Sequence, residues 1–174
     1  MQLAKRTSRI GESATLAVAR RAKELQAAGK DILDLGAGEP DFPSPPVAVE
    51  AARQALADGF TKYTENAGTP ELRRALAERF SLRHGAPGTA ADVLITVGGK
   101  AALFEVAQAL YEEGSEVVIP SPSWVSFAEQ ARFMGAEPVL VPLSAADGFR
   151  VHAEPVLARL SLRTAAVVLN SPSN

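Results

Sequence analysis

The 174-residue sequence contains no cysteine, which excludes disulfide scaffolds, zinc sites with cysteine ligands and thiol catalysis. Histidine is scarce as well. His84 and His152 have no possible metal ligands at the usual spacing, so the sequence favours neither a metalloenzyme nor a histidine-dependent hydrolase. Basic residues do not outnumber acidic ones, at 18 against 20, so no strongly basic surface indicates nucleic-acid binding.

The sequence also lacks a long apolar run, and its first residues, MQLAKRTSRIGESATLAV, contain no apolar core of a secretory signal. We therefore expect a cytoplasmic protein that binds neither membranes nor nucleic acids. What the chain does contain is 47% apolar and 22% charged residues. That balance is typical of a globular protein, and the length is sufficient for a core of single-domain size.

Patterns typical of helices and strands alternate along the chain. Ser13 or Thr15 is positioned to cap a first helix that runs to about Ala28. Apolar spacing and capping residues predict further helices at residues 47–56, 70–84, 100–111, 124–134 and 154–160. Apolar runs predict strands at residues 31–35, 93–97, 117–120, 138–141 and 165–169. Continuously apolar strands separated by helices predict an α/β fold, a mostly parallel sheet with helices on both faces.

The last ten residues, AAVVLNSPSN, form a buried type of strand that leads into a loop. A natural domain rarely ends on a parallel strand whose covering helix is missing. We therefore expect the sequence to be a fragment of a longer protein.

The stretch LITVGGKAALFEVAQAL, residues 94–110, places Lys100 at the start of a helix, where the helix dipole is already positive. A Walker A loop would require glycine at the position of Leu94, and GAGEPD fails the dinucleotide fingerprint because its third glycine is missing. What remains is a turn at Gly98 and Gly99 followed by free helix N–H groups, a general anion site. Either the lysine is simply solvated, or an anion binds beside it.

Four stretches of the sequence resemble, in order, class I aminotransferases. They are GEPDFPSP at 38–45, TKYTENAGTPELRRAL at 61–76, TVGGKAALF at 96–104, and SPSWVSF with NSPSN between 121 and 174. Enzymes of this family have the fold-type I architecture and use pyridoxal phosphate, and the resemblance is greatest to the bacterial aspartate aminotransferase branch. The resemblance implies an N-terminal arm and small-domain segment in residues 1–45. Residues 46–174 would be the first part of the cofactor-binding large domain.

The resemblance also implies roles for single residues. It assigns binding of the cofactor phosphate to the turn of Gly98, Gly99 and Lys100, and stacking on the cofactor ring to Trp124. It also assigns a hydrogen bond to the phenolic oxygen of the cofactor to Asn174, and contact with the cofactor phosphate of a neighbouring subunit to Tyr63. It assigns substrate binding to Gly38, Lys100, Thr15 and Trp124. Structural interpretations compete with several of these. Thr15 also fits a helix cap, which is the interpretation we favour. Trp124 could be a core aromatic, Tyr63 could anchor a loop, and Gly38 could belong to a proline-rich connector. We expect Asn170 to be structural.

By this resemblance the protein is a homodimeric aminotransferase with shared active sites. It would transfer the amino group of an amino acid, aspartate or glutamate first, to a 2-oxo acid. The family's Schiff-base lysine lies beyond the position of Asn174, so we assign no catalytic residue within the chain and expect residues 1–174 alone to be inactive. Another fold-type I pyridoxal phosphate enzyme, such as a lyase or decarboxylase, remains an alternative, as does an aminotransferase-like domain that senses a ligand.

Overall fold

The computed structural model describes residues 2–36 and 38–174, and the chain divides into two compact units. One unit is Glu12–Leu94, and the other combines the segment up to Gly11 with Ile95–Asn174. The domain boundary that the sequence places between residues 45 and 46 stays a prediction. Within the described ranges, no helix has the length and apolar content needed to cross a membrane.

The unit Glu12–Leu94 contains helices α1 at Ala14–Ala27, α2 at Pro46–Ala57 and α3 at Pro70–His84, followed by a short 3-10 helix at Ala90–Asp92. All three α-helices match predicted ones. Proline at the first position suits α2 and α3, because the missing N–H is one that a helix start leaves unpaired.

The cap of α1 corrects one expectation. The Ser13 hydroxyl accepts a hydrogen bond from the Leu16 N–H at 3.4 Å, which makes Ser13 the capping residue. Thr15 lies inside the first turn of the helix, so the interpretation of Thr15 as the cap is wrong. A capping residue needs extended backbone geometry before the helix, and Ser13 is the residue that precedes α1.

The second unit is built on a parallel sheet of three strands in the order β2–β1–β3. The strands are β1 at Glu116–Ser121, β2 at Glu137–Pro142 and β3 at Thr164–Val167, in agreement with three predicted strands. In the central strand β1, Val117 pairs with Pro138 of β2 and with Ala166 of β3, which defines the register of the sheet. The helices of this unit are α4 at Gly99–Leu110, α5 at Val125–Met134 and α6 at Ala153–Leu157, with short 3-10 helices at Lys5–Arg9 and Ala145–Asp147.

The core lies on both faces of the sheet. On one face, Val117 and Ile119 pack with Phe127 of α5, and all three side chains are buried. On the other face, Val118 packs with Val156 of α6. Alternate residues of one strand thus contact helices on opposite sides, as a parallel sheet covered on both faces requires. The predicted α/β architecture is confirmed.

Two predicted strands are wrong. Residues 31–35 and 93–97, both described, are irregular backbone, and several of their apolar side chains are exposed, with Leu35 at 94% and Val97 at 95%. A strand requires a neighbouring backbone to bond with, whereas an apolar run reports only a tendency to be buried. In the sheet, β1 is already paired on both sides, so neither run can be placed beside it.

Candidate functional site

The turn before α4 depends on glycine. Gly98 has φ 81° and ψ 165°, a region of backbone conformation that is essentially restricted to glycine. The turn is fixed locally, because the Gly98 N–H donates to the Thr96 carbonyl at 2.8 Å and the Thr96 hydroxyl donates to the Gly98 carbonyl at 3.0 Å. The first helical bond runs from the Ala102 N–H back to the Gly98 carbonyl. The N–H groups of Gly99 and Lys100 therefore stand at the open start of the helix.

The structure brings Lys100 and Trp124 together. The Lys100 ammonium lies 5.0 Å from the centroid of the Trp124 ring, within the range of a cation–π interaction worth about 0.5–1 kcal/mol at an exposed site. The indole is half-buried and meets Phe127 edge to face, with ring centroids 5.5 Å apart. Across the two helices, the Gln130 side-chain amide donates to the Lys100 carbonyl at 3.3 Å. Packing of α4 on α5 thus sets the position of the cation beside the aromatic ring.

The fold explains where this pair lies. Trp124 follows the carboxyl end of β1, and Asn170 follows the carboxyl end of the adjacent parallel strand β3. Parallel strands end at a common edge of the sheet, and ligands of open α/β sheets bind outside that edge. The Asn174 N–H donates to the Asn170 side-chain oxygen at 2.9 Å, so Asn170 shapes the terminal loop, in agreement with the structural role expected for it.

A cavity of about 840 Å³ opens beside the same ends of β1 and β3. Its lining is mainly apolar and includes Ser123, Phe149 and Asn170. Lys100, Trp124 and Asn174 are not among its lining residues. The structure therefore brings Lys100 to Trp124, and places Asn174 beside the structural Asn170, without joining the two pairs in this cavity.

Lys100 is an available cation. Among residues 2–36 and 38–174, no salt bridge involves its ammonium group. A cation beside an open helix start is unfavourable by a few tenths of a kcal/mol unless an anion is near. Over the same described ranges, no cluster of three acidic or histidine side chains occurs that could hold a metal ion.

Three predicted site residues belong to the unit Glu12–Leu94. Tyr63 is fully exposed, as expected for a side chain that reaches another subunit. Gly38 is exposed in irregular backbone, and Thr15 lies in the first turn of α1. The substrate and cofactor roles of these three residues stay predictions.

Sequence reasoning missed Arg73, which lies on the inner face of α3. Its side chain is 18% exposed, and one helical turn later Ala77 is buried on the same face. The Arg73 Nε–H donates to the Val93 carbonyl at 2.9 Å, and a second guanidinium nitrogen lies 3.7 Å from the Glu65 carboxylate. The sequence signal was only the helical spacing of Arg73 and the apolar Ala77, which places both on one face of α3.

The chain is similar to known aminotransferases along its whole length. The family model for aminotransferase class I and II matches residues 30–174. The aspartate aminotransferase of Geobacillus stearothermophilus is 44% identical over 174 residues, which cover 100% of this chain and 44% of that protein. The aspartate/prephenate aminotransferase of Thermus thermophilus is 46% identical over 172 residues, which cover 99% of this chain and 45% of that protein.

Solved structures agree with these relatives. The aspartate aminotransferase from Thermus thermophilus with maleate matches with a TM-score of 0.95 at 46% identity, over 100% of this chain and 46% of that one. An alanine aminotransferase from Pyrococcus furiosus matches with a TM-score of 0.91 at 29% identity, over 99% of this chain and 45% of that one. The chain thus spans a little less than half the length of these relatives, whose family uses pyridoxal phosphate. Because the family model covers most of its residues, the chain belongs to the aminotransferase class I and II family.

Proposed function

We propose that this chain provides the phosphate-binding turn and the ring-stacking face of a pyridoxal-phosphate-dependent aminotransferase that acts on an acidic amino acid. The observation that carries the proposal is the Lys100 ammonium 5.0 Å from the Trp124 ring, at the open start of α4. One small region thereby offers backbone N–H donors, a cation and an aromatic face. A ligand that combines an anionic group with a planar ring would use all three.

The glycine turn fits the cofactor phosphate. A methyl group built on Gly98 or Gly99 would meet no atom within 4 Å, so the backbone is open to a ligand. The helix start offers N–H groups at Gly99 and Lys100 and a favourable dipole, which together suit a dianion. Trp124 would hold the ring, because a flat indole excludes water from one face of a heterocycle at a gain of about 0.5–1.5 kcal/mol.

When bound, pyridoxal phosphate supplies the electron sink that allows an amino group to move between an amino acid and a 2-oxo acid. The residues of this chain bind and orient. Gly98, Gly99 and Lys100 would fix the phosphate, and Trp124 would fix the plane of the ring. Asn174 would donate its side-chain amide to the phenolic oxygen of the cofactor, a role that rests on the family motif at the end of NSPSN.

The substrate class rests on charge and on the relatives. Lys100 has no acidic partner among the described residues, so its ammonium is available to a substrate carboxylate. The relatives from Geobacillus stearothermophilus and Thermus thermophilus, each matched over at least 99% of this chain, are named aspartate or aspartate/prephenate aminotransferases, and one structure was solved with maleate, a dicarboxylate. We assign aspartate or glutamate as the amino donor, and we assign Gly38 and Thr15 to substrate binding.

A homodimer with shared sites completes the proposal. Tyr63 is fully exposed in one chain, which supports a role at the cofactor phosphate of a second copy. A tyrosine hydroxyl that donates to phosphate across the interface would make cofactor binding depend on dimerisation.

Substrate kinetics of the protein as expressed from its own gene test the proposal. Lys100→Gln removes the cation and keeps the backbone N–H, so we expect the KM for aspartate to rise about tenfold to a hundredfold, the value of a charge-assisted hydrogen bond. The kinetics with alanine should change little, because alanine has no side-chain carboxylate. Lys30→Gln, at another exposed lysine, is the matched control. An equal loss for aspartate and alanine would contradict the substrate assignment, and wild-type protein without transamination would contradict the activity.

A further inference from the structure

Arg73 connects three segments of the unit Glu12–Leu94. It belongs to α3, its Nε–H donates to the carbonyl of Val93 at 2.9 Å, and its second nitrogen pairs with Glu65 at 3.7 Å. Glu65 lies in the loop that carries Tyr63, two residues earlier in the chain. We infer that Arg73 is a positioning residue that fixes the backbone of this loop and so directs Tyr63. The inference rests on the cofactor role proposed for Tyr63.

Residues 61–66 of this loop are exposed, whereas residues 67–69 are half-buried. The Tyr63 side chain is fully exposed, so packing of its own ring does not hold it in place. Glu65 organises the backbone that follows, because its carbonyl accepts the Gly68 N–H at 2.9 Å and closes a tight turn. The Thr64 hydroxyl also donates to the Glu65 carbonyl, at 3.4 Å. Glu65 thus links the turn that follows Tyr63 to Arg73, which contacts its carboxylate.

Arginine is suited to this position for a geometric reason. A guanidinium group presents five N–H donors in a rigid plane, so it can donate to a carbonyl on one side and to a carboxylate on another. The Arg73 side chain is 18% exposed, which places its donors largely out of water, where an unpaired charge is costly. The neighbouring Arg74 is exposed and takes part in no salt bridge among the described residues.

Amide hydrogen exchange in the protein as expressed from its own gene tests directly whether Arg73 fixes the loop. In Arg73→Gln, we expect the amides of residues 61–69 to exchange about twofold to fivefold faster, since the ion pair that links this segment to α3 is lost. Glu65→Gln removes the contact through which Arg73 reaches the loop and keeps the bond to the Val93 carbonyl, so it should give a similar increase in the same segment. Arg74→Gln removes the same charge from the same helix and is the matched control. Equal exchange in Arg73→Gln and Arg74→Gln would overturn the inference.

A double-mutant cycle on pyridoxal phosphate binding separates positioning from general stability. Arg73→Gln and Tyr63→Phe should each weaken binding, by about twofold to fivefold for the arginine variant, and the double variant should bind no more weakly than Tyr63→Phe alone. Additive losses would show that Arg73 does not act through Tyr63. If Tyr63→Phe alone leaves binding unchanged, both the cofactor role of Tyr63 and the positioning role of Arg73 are contradicted. Wild-type protein that does not bind pyridoxal phosphate would instead contradict the proposed function, while the exchange measurement still decides whether Arg73 fixes the loop.

Discussion

Replacement of Gly98 by alanine should destabilise the protein through backbone strain alone. The residue has φ 81° and ψ 165°, a conformation that side-chain-bearing residues essentially never adopt. An alanine Cβ would meet no atom within 4 Å, so steric overlap with neighbouring groups adds nothing. The cost is therefore that of one strained residue, about 1–3 kcal/mol.

The adjacent glycine provides a control of opposite sign. Gly99 is the first residue of α4, and a Cβ built there also meets nothing within 4 Å. Alanine at a compatible helical position stabilises a protein by about 0.4–1 kcal/mol, mainly because the unfolded chain loses freedom. Two neighbouring substitutions of identical chemistry should thus change stability in opposite directions.

Urea denaturation of both variants, without added cofactor so that ligand binding does not contribute, provides the comparison. The midpoint for Gly98→Ala should fall and the midpoint for Gly99→Ala should stay or rise, at an unchanged slope. A neutral Gly98→Ala would show that the turn does not require the positive φ. Equal losses in the two variants would show that the glycine pair is limited by space instead.

Three further predictions concern the scaffold. Ser13→Ala should cost about 0.5–2 kcal/mol in thermal denaturation because it removes the cap of α1, whereas Thr15→Ala should not destabilise. Glu116→Gln should cost about 1–3 kcal/mol in urea denaturation, because the buried carboxylate accepts hydrogen bonds from Arg163 and a serine. A backbone and a side-chain hydrogen bond from one threonine lower the pKa of Asp92. Its contribution to stability should be complete above pH 4 or so and disappear as pH falls through the lowered pKa, and Asp92→Asn should flatten that part of an acid-denaturation profile.

The sequence predicted the helices and the three-stranded sheet because both leave a local pattern. Continuous apolar runs gave β1, β2 and β3, and apolar spacing with glycine and proline boundaries gave the helices. The runs at 31–35 and 93–97 have the same pattern, yet they are irregular, because strand formation depends on a backbone partner elsewhere in the fold. Local sequence contains no information about that partner.

The candidate site, too, has parts that the sequence could predict and parts that it could not. Motifs of adjacent residues predict the glycine turn and Trp124 as cofactor contacts, and that role stays a prediction. The contact between Lys100 and Trp124 depends on how α4 packs on α5, and the bond from Gln130 to the Lys100 carbonyl joins residues far apart in sequence. Arg73 was missed for the same reason, because both its partners lie outside its helix.

Titration of pyridoxal phosphate against the fluorescence of the 174-residue chain tests the central claim most directly. Trp124 is the single tryptophan of the sequence, so emission reports on the proposed ring-stacking face alone. We expect saturable quenching by pyridoxal phosphate. Pyridoxal, which lacks the phosphate that the Gly98 turn would bind, should quench at concentrations at least about tenfold higher. Emission that pyridoxal phosphate leaves unchanged, or quenching that is equal for the two compounds, would contradict the assignment of the glycine turn and Trp124 to the cofactor.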